Sequence, residues 1–163
     1  MRLSHFALVC TFALSIAFRA SAEDAKYVKL VHVETGKVLG VADDSEDNEA
    51  KAALMKDEPG KFARQWKLEK DGDQYKVVNR KSGKVLDVNN ASKDEGAQII
   101  IWDDKTDDNA NQRWSWDGTG DERRLKGKNS EMVLDPEKDG NVVQKKSSAK
   151  AKSQLWRVVE VKD

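Results

Sequence analysis

The stretch Asn111-Gln112-Arg113-Trp114-Ser115-Trp116 is one of three copies of a motif in this chain. The other copies are Ala63-Arg64-Gln65-Trp66-Lys67-Leu68 and Ser153-Gln154-Leu155-Trp156-Arg157-Val158. The shared tryptophans lie 48 and then 42 residues apart. A motif that recurs at a period of this size indicates a repeat architecture, in which each copy of a small unit buries part of a common core. The sequence therefore predicts three structural repeats.

A second motif precedes the tryptophan motif in every repeat. Its copies are Gly36-Lys37-Val38-Leu39-Gly40-Val41, Gly83-Lys84-Val85-Leu86-Asp87-Val88 and Glu131-Met132-Val133-Leu134-Asp135-Pro136. Because the two motifs keep the same order three times, they also define the repeats. The predicted repeats are about 27–73, 75–122 and 123–163.

Each repeat contains four short runs of β-branched and apolar residues, separated by turn residues, and this pattern is typical of short β-strands. In the second repeat the predicted strands are Tyr75–Val78, Val85–Val88, Gln98–Trp102 and Arg113–Trp116. Ala50–Met55 could form a helical turn, but its position in the first repeat favours a strand. Three such repeats give about twelve strands.

Closure of these strands decides the fold. Three repeats are too few for a β-propeller, which typically has about four to eight blades. An open stack would leave edge strands unpaired. A closed three-fold barrel with hairpin caps removes those edges and brings the repeated tryptophans into one core. We therefore predict an all-β protein with a β-trefoil fold and pseudo-three-fold symmetry.

Residues 1–22 have the pattern of a secretory signal peptide. Arg2 supplies a positive charge, residues 6–18 form an apolar run, and Ala20-Ser21-Ala22 fits a cleavage site. The alternative is a membrane anchor, but a spanning helix needs roughly 20 apolar residues, more than this run contains. We expect residues 23–163 to form one domain that is secreted or extracellular, or periplasmic if the source is bacterial.

The composition of residues 23–163 excludes several functions. This segment has no cysteine and a single histidine, His32, which excludes cysteine catalysis and metal sites built from histidine and cysteine. Its 27 basic residues are balanced by 29 acidic residues, whereas nucleic-acid-binding domains are usually strongly basic. We predict no cofactor, no metal, no nucleic-acid partner and, after signal cleavage, no membrane partner. The oligomeric state is left open.

The two motifs together resemble the pattern of the ricin B-type lectin family. The resemblance rests on Gly-Lys-Val-Leu-Asp-Val at 83–88 and, about two dozen residues later, on Asn-Gln-Arg-Trp at 111–114, which includes the Gln-x-Trp motif. The resemblance extends over all three repeats, although Arg64 replaces the motif glutamine in the first. It implies a β-trefoil lectin whose partners are glycans or polysaccharides.

The resemblance also implies one sugar site, in the second repeat. Asp87 matches the aspartate that accepts hydrogen bonds from two neighbouring sugar hydroxyls, Trp102 matches the ring that stacks on the sugar, and Asn111 matches the asparagine beside them. Gln112 completes the predicted site. A carboxylate suits this role because it has several acceptor positions. The alternative roles are structural, with Asp87 as a turn residue and Gln112 as a clamp on the local backbone.

The other two repeats retain less of this set. In repeat one, Gly40 replaces the aspartate and Met55 lies near the position of the ring, so no sugar site is expected there. In repeat three, Asp135 is present, Gln144 fits an additional polar position and Lys146 stands in place of the ring. These three residues form a predicted weaker second site, which could suit an acidic glycan.

Catalysis is not expected, because a glycosidase needs two carboxylates flanking the scissile bond. Asp87 and Asp135 occupy equivalent positions in different repeats and should lie on separate lobes.

The alternative to a lectin is a protein-interaction or inhibitor β-trefoil with vestigial sugar sites. Residues 123–163 carry a net charge of +5, which is typical of solvated loops but could also form a basic face for sulfated or carboxylated polymers. Asn90-Ala91-Ser92 is a glycosylation sequon close to Asp87.

Overall fold

The structure, a computed structural model, describes residues 27–162, and the predicted signal peptide in residues 1–22 therefore lies outside the described residues. Residues 27–162 contain twelve β-strands joined by turns and short 3-10 segments. In this part of the chain no helix has the length and apolar character needed to cross a membrane. The strands are β1 (Val28–His32), β2 (Val38–Val41), β3 (Ala52–Met55), β4 (Trp66–Asp71), β5 (Gln74–Asn79), β6 (Val85–Val88), β7 (Ile99–Trp102), β8 (Trp114–Asp117), β9 (Arg124–Gly127), β10 (Val133–Pro136), β11 (Val142–Lys145) and β12 (Trp156–Glu160).

Four strands fall in each predicted repeat, and six of the twelve form a barrel. β4 pairs with β5 and β8 with β9 across the repeat boundaries, while β1 pairs with β4 and β5 with β8 within repeats. β12 returns to pair with β1, which joins the last repeat to the first and closes the barrel. The all-β fold class with twelve short strands is confirmed, and so is the assignment of a strand, β3, to the region of Ala50–Met55.

The other six strands form three hairpins that cap the barrel. They are β2–β3, β6–β7 and β10–β11, each paired over four residues. Isolated bridges join the hairpins to one another, so that each repeat contacts both of the others there; these bridges are Lys51–Ile100, Ala53–Asn141 and Gln98–Val143. The β-trefoil prediction is confirmed by this barrel and its three caps.

The repeated tryptophans lie in the core, as their spacing predicted, since each is at most 1% exposed. Two of them also fasten the two motifs of their repeat together. Trp66 Nε1 donates a hydrogen bond to the Leu39 carbonyl at 2.9 Å, and Trp114 Nε1 donates to the Leu86 carbonyl at 3.0 Å. Trp156 differs, because its buried Nε1 has no acceptor among the described residues.

His32, in the first repeat, contacts the third repeat where the barrel closes. It is 2% exposed, and its ring centroid lies 5.1 Å from that of Trp156. Its Nε2 lies 2.9 Å from the Ser153 carbonyl oxygen and its Nδ1 lies 2.9 Å from Thr35 Oγ1. Because a carbonyl can only accept, Nε2 donates the bond to Ser153. This bond joins the first repeat to the third, whereas the Nδ1 contact with Thr35 lies within the turn that follows β1.

We expect Trp114→Phe to lower the free energy of unfolding more than Trp156→Phe. Both changes remove the same ring volume, but only the first leaves a buried carbonyl, that of Leu86, without its donor. The difference should be about 1–3 kcal/mol, measured by urea unfolding followed by circular dichroism. Equal losses in the two variants would show that the indole hydrogen bond does not stabilise the fold.

Candidate functional site

The β6–β7 hairpin sorts its side chains onto two faces, because side chains alternate along a strand. Leu86 lies opposite Ile101 and both belong to the hydrophobic core. Asp87 lies opposite Ile100 on the other face, which is turned away from that core. Trp102 is two residues beyond Ile100, so it lies on the same face as Asp87 as its diagonal neighbour, with backbones roughly 7–8 Å apart.

A short 3-10 turn, Ala110–Gln112, brings two amide side chains to Asp87. Asn111 Nδ2 donates to Asp87 Oδ1 at 2.8 Å and to the Val88 carbonyl at 3.2 Å. Gln112 Nε2 donates to Asp87 Oδ2, also at 2.8 Å. Each carboxylate oxygen therefore accepts one amide hydrogen bond, and the plane of the carboxylate is fixed by both.

Gln112 also fastens the loop that precedes it. Its Nε2 donates to the Asp103 carbonyl at 2.9 Å, and its Oε1 accepts from the Lys105 backbone N–H at 2.9 Å. The Gln112 side chain is 0% exposed. It therefore orients Asp87 and the loop from the protein interior and cannot itself contact a ligand. Gln112 therefore holds the local backbone and orients the predicted site residue Asp87 with the same amide group.

Lys105 is the residue of this site that the sequence reasoning missed. Its Nζ lies 3.5 Å from Asp87 Oδ2 and 3.5 Å from Asn111 Oδ1. The signal available in the sequence was its position seven residues before Gln112, inside the acidic run of residues 103–108.

Burial governs the electrostatics of Asp87, which is 2% exposed. Burial raises the pKa of its carboxyl above the ordinary value of 3.8, because removal from water disfavours the charged form. The hydrogen bond from Gln112, the Lys105 ammonium and the hydrogen bond from Asn111 oppose this shift but do not cancel it. The carboxylate is thus costly to ionise and depends on its partners.

Repeat one has no room for a corresponding site. A Cβ added at Gly40 would lie 2.7 Å from Met55 Sδ and 2.9 Å from Arg64 Cγ. Arg64, which stands where the other repeats have glutamine, donates to the Lys56 carbonyl at 2.7 Å. The space taken by a carboxylate in the other two repeats is filled here by the side chains of Met55 and Arg64.

Repeat three keeps the aspartate and its glutamine. Gln154 Nε2 donates to Asp135 Oδ2 at 3.0 Å, and Gln154 Oε1 accepts from the Ser148 backbone N–H at 2.8 Å. Ser148 is thus the counterpart of Lys105. A groove of about 570 Å³ opens at this position. Its lining comprises Asp135, Pro136, Glu137, Lys138, Asp139, Lys145 and Ser153.

The strand register corrects two positions assigned from the sequence in repeat three. Lys145 lies opposite Val133, as Trp102 lies opposite Val85, so that Lys145 and not Lys146 stands in place of the ring. Gln144 lies opposite the core residue Leu134, on the face away from Asp135. The error arose because the β10–β11 loop is shorter than the β6–β7 loop, and spacing counted from one repeat does not transfer to the other.

Gln144 has a clear structural role in its observed position. It is 1% exposed, and its Nε2 donates to the carbonyls of Ser92 at 3.0 Å and Asp94 at 2.8 Å. Its Oε1 accepts from Ser130 Oγ at 2.6 Å. Gln144 therefore joins the third repeat to a loop of the second, and it is separated from the groove at Asp135.

We expect Gly40→Val to lower the free energy of unfolding by about 1–3 kcal/mol through overpacking, even though valine favours strands. Its first Cβ contact is with Met55. In a Met55→Ala background the same change should cost clearly less, as measured by a double-mutant cycle in urea. An equal cost in both backgrounds would mean that Met55 does not fill this space.

Comparison with known proteins agrees with this architecture. The sequence profile described as "Ricin-type beta-trefoil lectin domain-like" matches residues 15–102. A search of curated proteins finds no match. Among solved structures, the designed three-fold symmetric protein ThreeFoil is 34% identical, with a TM-score of 0.76, over 83% of this chain and 99% of that chain.

Two natural proteins extend the comparison. The exo-beta-1,3-galactanase 1,3Gal43A from Clostridium thermocellum is 34% identical, with a TM-score of 0.74, over 83% of this chain but only 30% of the galactanase. The Polyporus squamosus lectin, solved with the epitope Neu5Aca2-6Galb1-4GlcNAc, is 19% identical over 82% of this chain and 48% of the lectin, with a TM-score of 0.72. At 19% identity, the likeness to the Polyporus squamosus lectin is one of fold alone.

Proposed function

The chain belongs to the ricin-type β-trefoil lectin family, and we propose on this premise that it is a secreted carbohydrate-binding protein with one principal sugar site, in the second repeat. The observation that carries this proposal is the fixed carboxylate of Asp87, held at 2.8 Å by both Asn111 and Gln112. A rigid acceptor of this kind suits recognition, because the cost of ordering it is met during folding and not during binding.

The chemistry of Asp87, Asn111 and Trp102 matches the needs of a sugar. A carboxylate offers about four lone-pair positions, and the two amides use one on each oxygen of Asp87, which leaves acceptors for two adjacent hydroxyls. Asn111 Oδ1 is a further acceptor. Trp102 is partly exposed on the same hairpin face, where its ring can pack on the apolar face of a pyranose.

We propose that the protein binds sugars and does not hydrolyse them. Hydrolysis of a glycosidic bond needs a second carboxylate across from the first, whereas the side chains bonded to Asp87 are two amides and a lysine. Secretion is proposed from the signal-peptide pattern of residues 1–22. Galactose-type sugars are the first ligands to test, since the galactanase named above shares 34% identity with this chain.

A small, shallow site of this kind is expected to bind weakly. A dissociation constant of about 1 mM corresponds to roughly −4 kcal/mol, which a few charge-assisted hydrogen bonds and one stacked ring can supply. A useful strength of attachment then requires several sites at once. We propose that a repetitive polysaccharide, or self-association of the chain, provides this multivalency.

We expect Asp87→Asn and Trp102→Ala each to reduce affinity for the bound sugar by about tenfold or more, because each removes an interaction of roughly 1.4 kcal/mol or greater. A glycan microarray identifies the ligand, and isothermal titration calorimetry measures the variants. Asp57→Asn, an exposed residue paired with Lys29 in repeat one, is the matched control. Failure of the intact protein to bind any glycan would overturn the proposal.

We also expect binding to weaken as the pH is lowered. Sugar hydroxyls donate to the ionised form of Asp87, and burial raises the pKa of that carboxyl above 3.8. Affinity should therefore fall as the pH drops through this raised pKa, before ordinary exposed carboxylates are protonated. Titrations at a series of pH values, with circular dichroism to confirm folding at each, test this. Affinity that stays constant down to about pH 4 would contradict it.

A further inference from the structure

The Lys105 ammonium occupies the part of the second-repeat site where a ligand would have to bind. It approaches Asp87 Oδ2 and Asn111 Oδ1 to 3.5 Å each, and these are the acceptors that the proposed function assigns to sugar hydroxyls. Beneath this contact, Asp87 and Asn111 are each only 2% exposed. A ligand that reaches Asp87 must therefore displace the ammonium group.

Lys105 is built so that its ammonium can leave while its backbone stays. The Lys105 N–H is held by Gln112 Oε1 at 2.9 Å and its carbonyl accepts from Asn109 Nδ2 at 3.3 Å. Its side chain is 36% exposed, and a lysine side chain is flexible. The ammonium can swing outward into a loop that also carries Asp107 and Asp108, both exposed.

Displacement by a neutral sugar would leave Asp87 without a cation. A buried charge that loses its partner is strongly destabilised, and hydroxyl groups replace a charge-assisted bond only in part. A ligand that brings its own positive charge avoids this loss. The negative charge around the site favours such a ligand, because residues 103–108 contain four aspartates and residues 74–122 carry a net charge of −3.

We infer that the second-repeat site is specific for sugars that carry a free amine, whose ammonium group takes the position of the Lys105 ammonium beside Asp87. The ligand class is a hexosamine, or a polysaccharide containing one, in its non-acetylated form. This inference rests on the proposed function, since it assigns the ligand class of the same site. No covalent step is involved; one ammonium group exchanges for another.

Repeat three provides the natural comparison. There the counterpart of Lys105 is Ser148, whose backbone N–H makes the equivalent bond to the motif glutamine, Gln154. Asp135 is 7% exposed and faces an open groove. The change Lys105→Ser therefore gives the second repeat a residue that this fold already accepts at the same position, and it removes the internal competitor without altering Asp87.

The test measures the binding of methyl glycosides of galactosamine, galactose and N-acetylgalactosamine, and of the matching gluco series, to the full chain and its variants by calorimetry. We expect the wild type to prefer the free amine over both neutral forms by about tenfold, the size of one charge-assisted bond. Lys105→Ser should bind the amine about threefold or more tightly than the wild type, since the competing ammonium is gone.

Two variants separate a specific site from general attraction. Asp107→Asn removes one charge from the same loop and should keep the amine preference within about twofold. Lys126→Ser removes a lysine that is paired with Glu131 and is 31% exposed, much as Lys105 is, and should leave all affinities unchanged. Loss of the preference in Asp107→Asn, or equal gains in both lysine variants, would overturn the inference.

The outcomes also distinguish this inference from the proposed function. If neutral sugars bind as well as amino sugars and Asp87→Asn abolishes both, the site is a sugar site and only the assignment of the amine fails. If no sugar of either series binds to the wild type or to Lys105→Ser, both fail. A preference for the amine that is lost in Asp87→Asn, together with tighter binding of the amine by Lys105→Ser, supports both.

Discussion

The burial of one tryptophan per repeat is the constraint on which the rest of the structure depends. Trp66, Trp114 and Trp156 fill the barrel together, and no single repeat of about 45 residues could bury such a ring alone. The chain has no disulfide available to residues 27–162, so this shared core supplies most of the stability. The hydrogen bonds from two of the indoles to leucine carbonyls add a directional component, because they fix the hairpin motif over the tryptophan motif.

The glutamine two residues before the tryptophan links this packing to the proposed site. In repeats two and three its amide holds the preceding loop and at the same time holds the hairpin aspartate. The same side chain therefore serves the scaffold and the site. Where Arg64 replaces it in repeat one, the hairpin residue is Gly40 and the space is filled. Loss of the glutamine and loss of the carboxylate thus go together for a steric reason.

This coupling explains how much the sequence could reveal. The repeats, the β-trefoil and the core tryptophans followed from periodicity, since the same side chains recur in equivalent environments. Asp87, Asn111 and Gln112 are found together because they lie on motifs that all repeats share. Lys105 could not be found in this way, because its contact with Asp87 depends on the path of a loop that is one residue longer in the second repeat than in the other two.

The misplaced residues of repeat three have the same origin. The prediction of Gln144 and Lys146 rests on residue spacing across a hairpin loop, and such a loop changes length without moving the strands that it connects. A shift of one residue in a strand exchanges the two faces of the sheet, and Gln144 therefore faces the interior. Strand register is a property of paired backbones, and a single sequence specifies it only where both strands carry recognisable motifs.

The charge arrangement around Asp87 links stability to the selectivity that we propose. An ionised carboxylate that is 2% exposed needs a compensating cation, and in the unliganded protein Lys105 supplies it from within the chain. The Lys105 ammonium thus offsets part of the cost of burying this carboxylate in the hairpin. Any ligand competes against that internal contact, so the affinity measured for a sugar is a difference between two interactions with the same carboxylate. A serine at this position, as repeat three has at Ser148, would remove that competition, while the carboxylate would still favour a ligand that brings its own cation.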